Sequence, residues 1–376
     1  MEPIRMVDLV TQYHHIKAEV DAAVINVMNQ AAFINGPEVK NFQIELEAYL
    51  HAKHVIPCAN GTDALQIAMM ALNLKPGDEV ITATFTYVAT AEVIALLQLT
   101  PVLVDVHPDT FMIDPAAIEA AITPKTKAIV PVHLFGQCAD MSEILRIAKK
   151  YNLYVVEDTA QAIGADYTFA DGTVKKAGTM GTIGCTSFFP SKNLGCFGDG
   201  GAIFTDDDAL AAKIRMVANH GQSRQYYHDE VGVNSRLDSM QAAVLRIKLP
   251  RLNSYNAARQ NAAAAYDAAF GNNPKLSIPA RAKNSTHVFH QYTLKLHGVD
   301  REALREHLAA KGIPCMIYYP VALHMQSAYQ NPRYGAGHFP VTENLVAQVV
   351  SLPMHSELSD EQIDFITSSV LEFINK

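Results

Sequence analysis

The chain has 376 residues, enough for roughly two to three domain-sized cores, which excludes a peptide hormone or an isolated small module. Hydrophobic residues make up 49% and charged residues 18%, the balance of a globular protein with a large core and not of a disordered chain. Lys+Arg 30 against Asp+Glu 38 gives a formal charge of −8, and no basic block is present to neutralise a run of phosphates, so nucleic acid is not an expected partner.

The opening residues, MEPIRMVDLV, carry Glu2 and Asp8 and no continuous apolar stretch, so they do not read as a secretory signal. The most apolar segment, Tyr87 to Leu99, is broken by Glu92 and Gln98 and falls short of the roughly 20 apolar residues a spanning helix needs. No membrane association is expected. The five cysteines, Cys58, Cys138, Cys185, Cys196 and Cys315, are odd in number and form no CxxC pair, which argues against a zinc site and against a disulfide framework. A reducing cytoplasm is the expected compartment, and no metal is expected.

From about residue 14 to residue 220 helical patterns alternate with short apolar runs bounded by Gly, Pro or Asp, the signature of a βαβ series. Strands are expected at His54 to Cys58, Glu79 to Ala83, Pro101 to Asp105, Lys127 to His133, Tyr154 to Asp158, Cys185 to Phe189 and Gly201 to Thr205. Runs such as KAIVPVHL are apolar on consecutive positions, as strands covered on both faces are. Crossover helices are expected at Thr62 to Leu74, Thr86 to Leu97 and Met141 to Tyr151. An α/β fold with a large, mostly parallel, seven-stranded sheet follows. The Ala-rich helical stretch after Asp238 is broken at Pro250, and the domain boundary is placed there: a large domain over 1–250 and a smaller C-terminal α+β domain over 251–376. The latter has a strand-like QYTLKL, a helix from Asp300 to Lys311 and a last helix from Asp360.

Chemistry concentrates in CTSFFPSKNLGCFGDGGAIFT, where a strand ends in Ser187 and Lys192 follows before a Gly-rich turn. A lysine so placed can form a Schiff base if burial or a nearby cation lowers its pKa. Standing alone, it would read as a solvated surface lysine. Upstream, VVEDTAQ puts Asp158 at the carboxyl end of an apolar strand, where open α/β sheets bind ligands. A carboxylate there suits a cationic ring nitrogen such as that of pyridoxal phosphate, and Gln161 lies one turn away; in isolation Asp158 reads equally well as a helix cap. In CANGTDALQIAMMAL, Gly61 and Thr62 open a helix and offer amides and a hydroxyl to an anion, although a plain cap by Thr62 or Asp63 is the simpler reading of that segment alone. Tyr87, in FTYVATAEV, could lay its ring on a flat cofactor or simply belong to the core. Ser187 could bond a phosphate oxygen or only satisfy backbone.

The segments NGTDAL, PGDEVI with TFTYVATAEVI, PVHLFGQCADM, VVEDTAQAIGA, TSFFPSKNLGCFGDGGAI and GVNSRLDSMQAAVL, in this order, resemble the fold-type I pyridoxal-phosphate enzymes. Within them the chain is similar to the DegT/DnrJ/EryC1/StrS family of nucleotide-sugar aminotransferases, over nearly its whole length. The resemblance implies that Lys192 is the Schiff-base lysine and that Asp158 pairs with the pyridine nitrogen, with Gln161 beside the ring hydroxyl. It further implies that Gly61, Thr62 and Ser187 hold the phosphate and that Tyr87 stacks on the ring. Asn234, in GVNSRLD, matches a position that reaches the neighbouring subunit's phosphate site, so a homodimer with shared active sites is implied.

The nearest branch of the family, on this resemblance, aminates the 3-keto position of a UDP-N-acetyl-glucuronate derivative for lipopolysaccharide and O-antigen sugars, with L-glutamate as donor. Arg236 would then meet the sugar carboxylate with its guanidinium fork. Tyr318 and Tyr319, in MIYYPVALH, fall where the family usually has His-Tyr-Pro and are expected to line the substrate site; Tyr318 replaces the histidine. His324 could supply an imidazole but reads more simply as a lone surface histidine. A 4-keto or dTDP-3-keto sugar is the alternative substrate. A dehydratase of the same family would carry histidine in place of Lys192. An idle cofactor-binding regulator is the rival from another class, and the intact set of Lys192, Asp158, Gln161 and Ser187 argues against it. A dinucleotide-binding reading fails because Gly195 to Gly201 does not fit G-x-G-x-x-G.

Overall fold

A computed structural model describes residues 2–376. Helices α1 (Leu9–Gln30) and α2 (Pro37–Leu50) open the chain. Asp8 caps the first by accepting from the Thr11 amide at 3.1 Å, and Pro37 sits at the start of the second, where its missing N–H has no helical partner to lose.

The main sheet takes seven strands, in chain order β1 (His54–Cys58), β2 (Glu79–Ala83), β3 (Thr100–Val104), β4 (Thr126–Val130), β5 (Tyr154–Asp158), β6 (Ile183–Ser187) and β7 (Gly201–Thr205), with a separate small hairpin (Asp166–Thr168 with Val174–Lys176) between the fifth and sixth. Between and after them run α3 (Gly61–Ala71), α4 (Ala89–Leu96), α5 (Pro115–Ala121), α6 (Met141–Tyr151) and α7 (Asp208–Ala218). The sheet order is β1-β7-β6-β5-β4-β2-β3, and only β7 runs antiparallel to its neighbours. The unbroken apolar runs have a direct cause. In β4 Ile129 faces one core layer while Ala128 and Val130 face the other; in β2 Ile81 and Val80 divide the same way. With both faces covered, every position must be apolar.

Several elements differ from expectation at their ends. The strand expected to reach His133 ends at Val130, and the one expected at Cys185 to Phe189 starts at Ile183. The helix expected from Thr86 begins at Ala89, leaving Thr86 and Tyr87 in the turn above β2.

After α7 come a short hairpin (Gln222–Arg224 with Tyr227–His228) and α8 (Ser239–Lys248). Pro250 lies in a 3-10 turn, Leu249–Arg251, from which α9 (Leu252–Phe270) departs. The rest builds an antiparallel sheet of β8 (Leu276–Ser277), β9 (Tyr292–Leu296) and β10 (Val349–Leu352) with α10 (Arg301–Ala310), α11 (Pro340–Gln348) and α12 (Asp360–Ile374). Its core of Tyr266, Phe270, Leu294, Val350 and Ile366 also takes in Ile4, and the Met354 amide donates to Met6 O at 3.2 Å. The start of the chain thus packs with its end.

Residues 316–343 cross back over the main sheet. The Leu323 amide donates to Thr84 O at 3.1 Å, and the Leu103 amide donates to the Tyr334 hydroxyl at 3.1 Å. Asp105 accepts from the Val341 and Thr342 amides at 3.0 and 2.9 Å, an anion held at the amino end of α11. These bonds hang the segment over the carboxyl ends of β2 and β3, the edge at which open α/β sheets bind ligands.

Candidate active site

The topology brings the sequence motifs to one edge, because β2, β4, β5 and β6 are parallel and end on the same side. Asn60, at the amino end of α3, accepts from the Asp63 amide at 2.7 Å. Among the described residues the Gly61 and Thr62 amides have no partner, since first-turn N–H groups lie beyond the helix's own carbonyls. Gly61 packs directly on Ser187: a Cβ added to it would lie 2.7 Å from Ser187 Cβ. Ser187 Oγ accepts from the Phe189 amide at 3.2 Å. Two open amides flanked by the Thr62 and Ser187 hydroxyls form a cup that matches a phosphate group.

Asp158 ends β5 and is buried, and burial pushes its carboxyl pKa up against the opposing pull of hydrogen bonds and of Lys192. Its Oδ1 accepts from the Ala160 amide and its Oδ2 from Thr90 Oγ1, both at 3.1 Å. The helix-cap reading is corrected here: residues 160–164 form turns, and no helix starts after Asp158. A buried carboxylate with so few partners is suited to a cation placed against it, as a protonated pyridine nitrogen would be.

Behind Asp158, on the other face of β5, the Glu157 carboxylate is fully buried. It accepts from the Gly178, Met180 and Gly181 amides at 2.9, 2.7 and 2.5 Å, and His133 Nε2 lies 2.8 Å away. Because His133 Nδ1 accepts from the Ala139 amide at 3.1 Å, the ring proton is assigned to Nε2, which donates to Glu157. His133 N in turn donates to Asp158 O at 2.9 Å. This pair locks the strand that carries Asp158, and sequence reasoning missed it; the acid beside Asp158 in VVED was its only local trace.

Lys192 projects from the loop after β6 and is half-buried. Burial pulls its amine down to about 8 from 10.5, with Asp158 pulling the other way. The loop is fixed on both sides of it. The Lys192 amide donates to Phe189 O at 2.8 Å, Asn193 Nδ2 donates to Asn256 Oδ1 and Val288 O at 2.7 and 2.9 Å, and buried Lys248 Nζ donates to Gly195 O at 2.8 Å.

Gln161 is tied at both ends: Oε1 accepts from the Phe135 amide at 2.7 Å and Nε2 donates to the Tyr319 hydroxyl at 3.1 Å. One N–H remains for a ring substituent. Tyr87 is 59% exposed, so it is no core residue, and its ring centre lies 6.4 Å from that of Tyr319. Tyr319 packs its ring 6.0 Å from that of Phe85 and 6.5 Å from that of Phe135, at the sheet edge, and the Tyr318 ring lies 6.0 Å from it. His324 is a further correction. It is buried, not on the surface, with Nδ1 2.9 Å from Thr84 Oγ1 and Nε2 3.2 Å from Glu343 Oε1, so both ring nitrogens are engaged and no free imidazole replaces the missing histidine.

Among the described residues neither Asn234 nor Arg236 makes a side-chain hydrogen bond or ion pair to this cluster. Asn234 is exposed and bridges Asn219. Arg236 is half-buried and forms no salt bridge among the described residues. Ser235 between them accepts from the Ala59 amide at 3.1 Å, which anchors this segment beside the loop that leads into the phosphate cup.

A family model described as the DegT/DnrJ/EryC1/StrS aminotransferase family matches residues 14–371. A UDP-2-acetamido-2-deoxy-3-oxo-D-glucuronate aminotransferase from Pseudomonas aeruginosa is 47% identical over 367 residues, covering 98% of this chain and 99% of its own. Among solved structures, S. venezuelae DesV in complex with a ketimine intermediate superposes with a TM-score of 0.95 at 39% identity over 100% of both chains. NtdA from Bacillus subtilis, solved with bound cofactor PMP, gives 0.88 at 33% identity over 96% of this chain and 82% of that one.

Proposed function

This chain belongs to the DegT/DnrJ/EryC1/StrS aminotransferase family, and from that premise we propose that it moves an amino group from L-glutamate to the keto carbon of a UDP-linked 3-oxo-N-acetyl-glucuronate. Pyridoxal phosphate is the family's cofactor. Support for the uronate comes from the relative at 47% identity and from Arg236, a half-buried guanidinium that has no ion-pair partner among the described residues and follows Ser235, which is anchored to Ala59. The product would feed lipopolysaccharide or O-antigen sugars. The working unit would be a cytoplasmic homodimer in which Asn234 completes the neighbour's phosphate cup.

The observation that carries the reading is that Lys192, on the loop after β6, lies close enough to the buried Asp158 carboxylate for each charge to act on the other, at the sheet edge that also holds the open Gly61 and Thr62 amides. When bound, pyridoxal phosphate supplies an aldehyde for amine exchange and an electron-poor ring that absorbs the charge left by a broken C–H bond. The chain's residues do the remainder. Gly61 and Thr62 amides with the Ser187 hydroxyl would hold the phosphate; Asp158 would keep the ring nitrogen protonated; Tyr87 would cover one ring face and Gln161 would bond the ring hydroxyl. Lys192 Nζ would accept the donor's Cα proton and return it, which requires a lone pair at working pH. An amine near 8 has one in a usable fraction, whereas one near 10.5 does not. Arg236 would orient the sugar by its carboxylate.

The test is a pair of half-reactions followed by absorbance. Glutamate alone should convert the yellow enzyme and yield 2-oxoglutarate, and a 3-keto UDP-uronate should restore the colour faster than 4-keto or dTDP-linked sugars. A preference for a neutral or 4-keto sugar would overturn the substrate assignment, and no response to glutamate would overturn the donor.

A further inference from the structure

Thr90 is fully buried in the first turn of α4, and its side chain breaks a local habit. A threonine in a helix commonly bonds back to a carbonyl three or four residues earlier. Thr90 Oγ1 instead reaches across to Asp158 Oδ2 at 3.1 Å, from a residue 68 positions away in the chain. Among the described residues no other side-chain donor bonds the Asp158 carboxylate; its second hydrogen bond comes from the Ala160 backbone amide. We infer that Thr90 is a positioning residue whose hydroxyl fixes the Asp158 carboxylate and keeps it ionised, so that the proton of the pair stays on the cofactor's ring nitrogen. This rests on the reading above that Asp158 meets that nitrogen.

The physical argument is one of proton sharing. Burial disfavours the charged form of Asp158, and a hydrogen bond donated to the carboxylate favours it. The titratable groups facing Asp158 are Lys192, His133, Cys185 and Tyr319. His133 already spends its Nε2 proton on Glu157, Lys192 must stay free for chemistry, and the Tyr319 hydroxyl accepts from Gln161 and makes no hydrogen bond to Asp158. Thr90 is therefore the side chain left to stabilise the anion. Without its hydroxyl, Asp158 becomes a stronger base and takes a larger share of the proton from the ring. A neutral ring is a poorer electron sink, and it leaves the cofactor–lysine linkage more basic. The position also constrains the residue type: a hydroxyl on a short branch reaches the carboxylate, and a methyl of the same shape does not serve.

The experiment compares the unaltered holoenzyme with Thr90→Val, which removes only the hydroxyl, and Thr90→Ser, which keeps it. Three readings are taken: the pyridoxal-phosphate dissociation constant, the pH midpoint of the cofactor–lysine absorbance, and the glutamate half-reaction. Thr90→Val should bind the cofactor about tenfold more weakly, as expected for losing a hydrogen bond to a charged group, with the absorbance midpoint raised by about one pH unit and a half-reaction slowed in kcat more than in KM. Thr90→Ser should restore the midpoint. An unmoved midpoint in Thr90→Val, or a Thr90→Ser enzyme as altered as Thr90→Val, overturns the inference while leaving the assignment of Asp158 intact. Should Thr90→Val fail to fold, a Thr90→Ser midpoint shifted by a full pH unit would overturn it and an unshifted one would support it. Failure of the unaltered protein to take up the cofactor at all would instead sink the underlying reading.

Discussion

Gly61 and Ser187, 126 positions apart in the chain, meet so closely that a single added carbon on the glycine would sit 2.7 Å from Ser187 Cβ. Backbone from the amino end of α3 and side chain from the end of β6 therefore define one cup, and the contact leaves no room for anything larger than hydrogen. Gly201, at the start of β7, closes the other side: its added Cβ would fall 2.4 Å from Asn60 O.

Gly61→Ala should accordingly push Ser187 aside and spoil phosphate binding while leaving the fold in place. Overpacking of this kind costs about 1–3 kcal/mol, which corresponds to a loss of cofactor affinity on the order of ten- to a hundredfold. Equilibrium titration with pyridoxal phosphate measures it; an unchanged affinity would mean the cup does not hold the phosphate.

The depressed amine of Lys192 has a kinetic consequence. Only the neutral amine attacks an aldehyde, so uptake of pyridoxal phosphate by the cofactor-free enzyme should quicken with rising pH and level off near 8, the value to which burial brings the group, instead of climbing on toward 10.5. Linkage has the same sign. Between about 8 and 10.5 the unfolded chain holds a proton on this residue that the folded chain lacks, so this group's destabilising contribution is full below pH 8 and fades as pH rises through that window. Stopped-flow absorbance at a series of pH values decides the kinetic point.

Arg236→Ala should weaken a uronate-bearing nucleotide sugar by roughly one to two powers of ten, in line with loss of a charge-assisted hydrogen-bonded pair of about 1.5–3 kcal/mol, and should barely alter a neutral sugar. Parallel kcat/KM measurements on both substrates settle this; equal losses would remove the carboxylate clamp.

Glu157 accepts three backbone amides besides the His133 ring. In Glu157→Gln one acceptor oxygen is replaced by an NH2 group facing donors, so stability should fall by about 1–3 kcal/mol for each buried donor left without an acceptor. The midpoint of urea unfolding reports it, and an unchanged midpoint would show that the pair is not what braces β5.

Much of this was legible from the residues alone because the decisive signals are local. Consecutive apolar positions reveal strands covered on both sides, and Gly61-Thr62, Asp158 with Gln161, and Ser187 with Lys192 each lie within a few residues of a strand end. What stayed hidden depends on distance. Gly184 looks like a boundary but lies inside β6, because Gly178 backbone approaches within 2.0 Å of where a Cβ would be; a glycine required by close approach reads the same as one required by a turn. The Thr90–Asp158 and His133–Glu157 bonds and the burial of His324 against Thr84 join segments with no shared periodicity. Arg236 is singled out by the resemblance alone; that it has no ion-pair partner among the described residues is a fact about distance, which a sequence does not display.

The most direct test of the whole account is reduction of the yellow protein with borohydride, followed by digestion and mass spectrometry. The pyridoxyl group should appear on the peptide that carries Lys192, and Lys192→Ala should lose both the label and the visible band. A label on any other lysine, or a Lys192→Ala protein that keeps its colour, would contradict it.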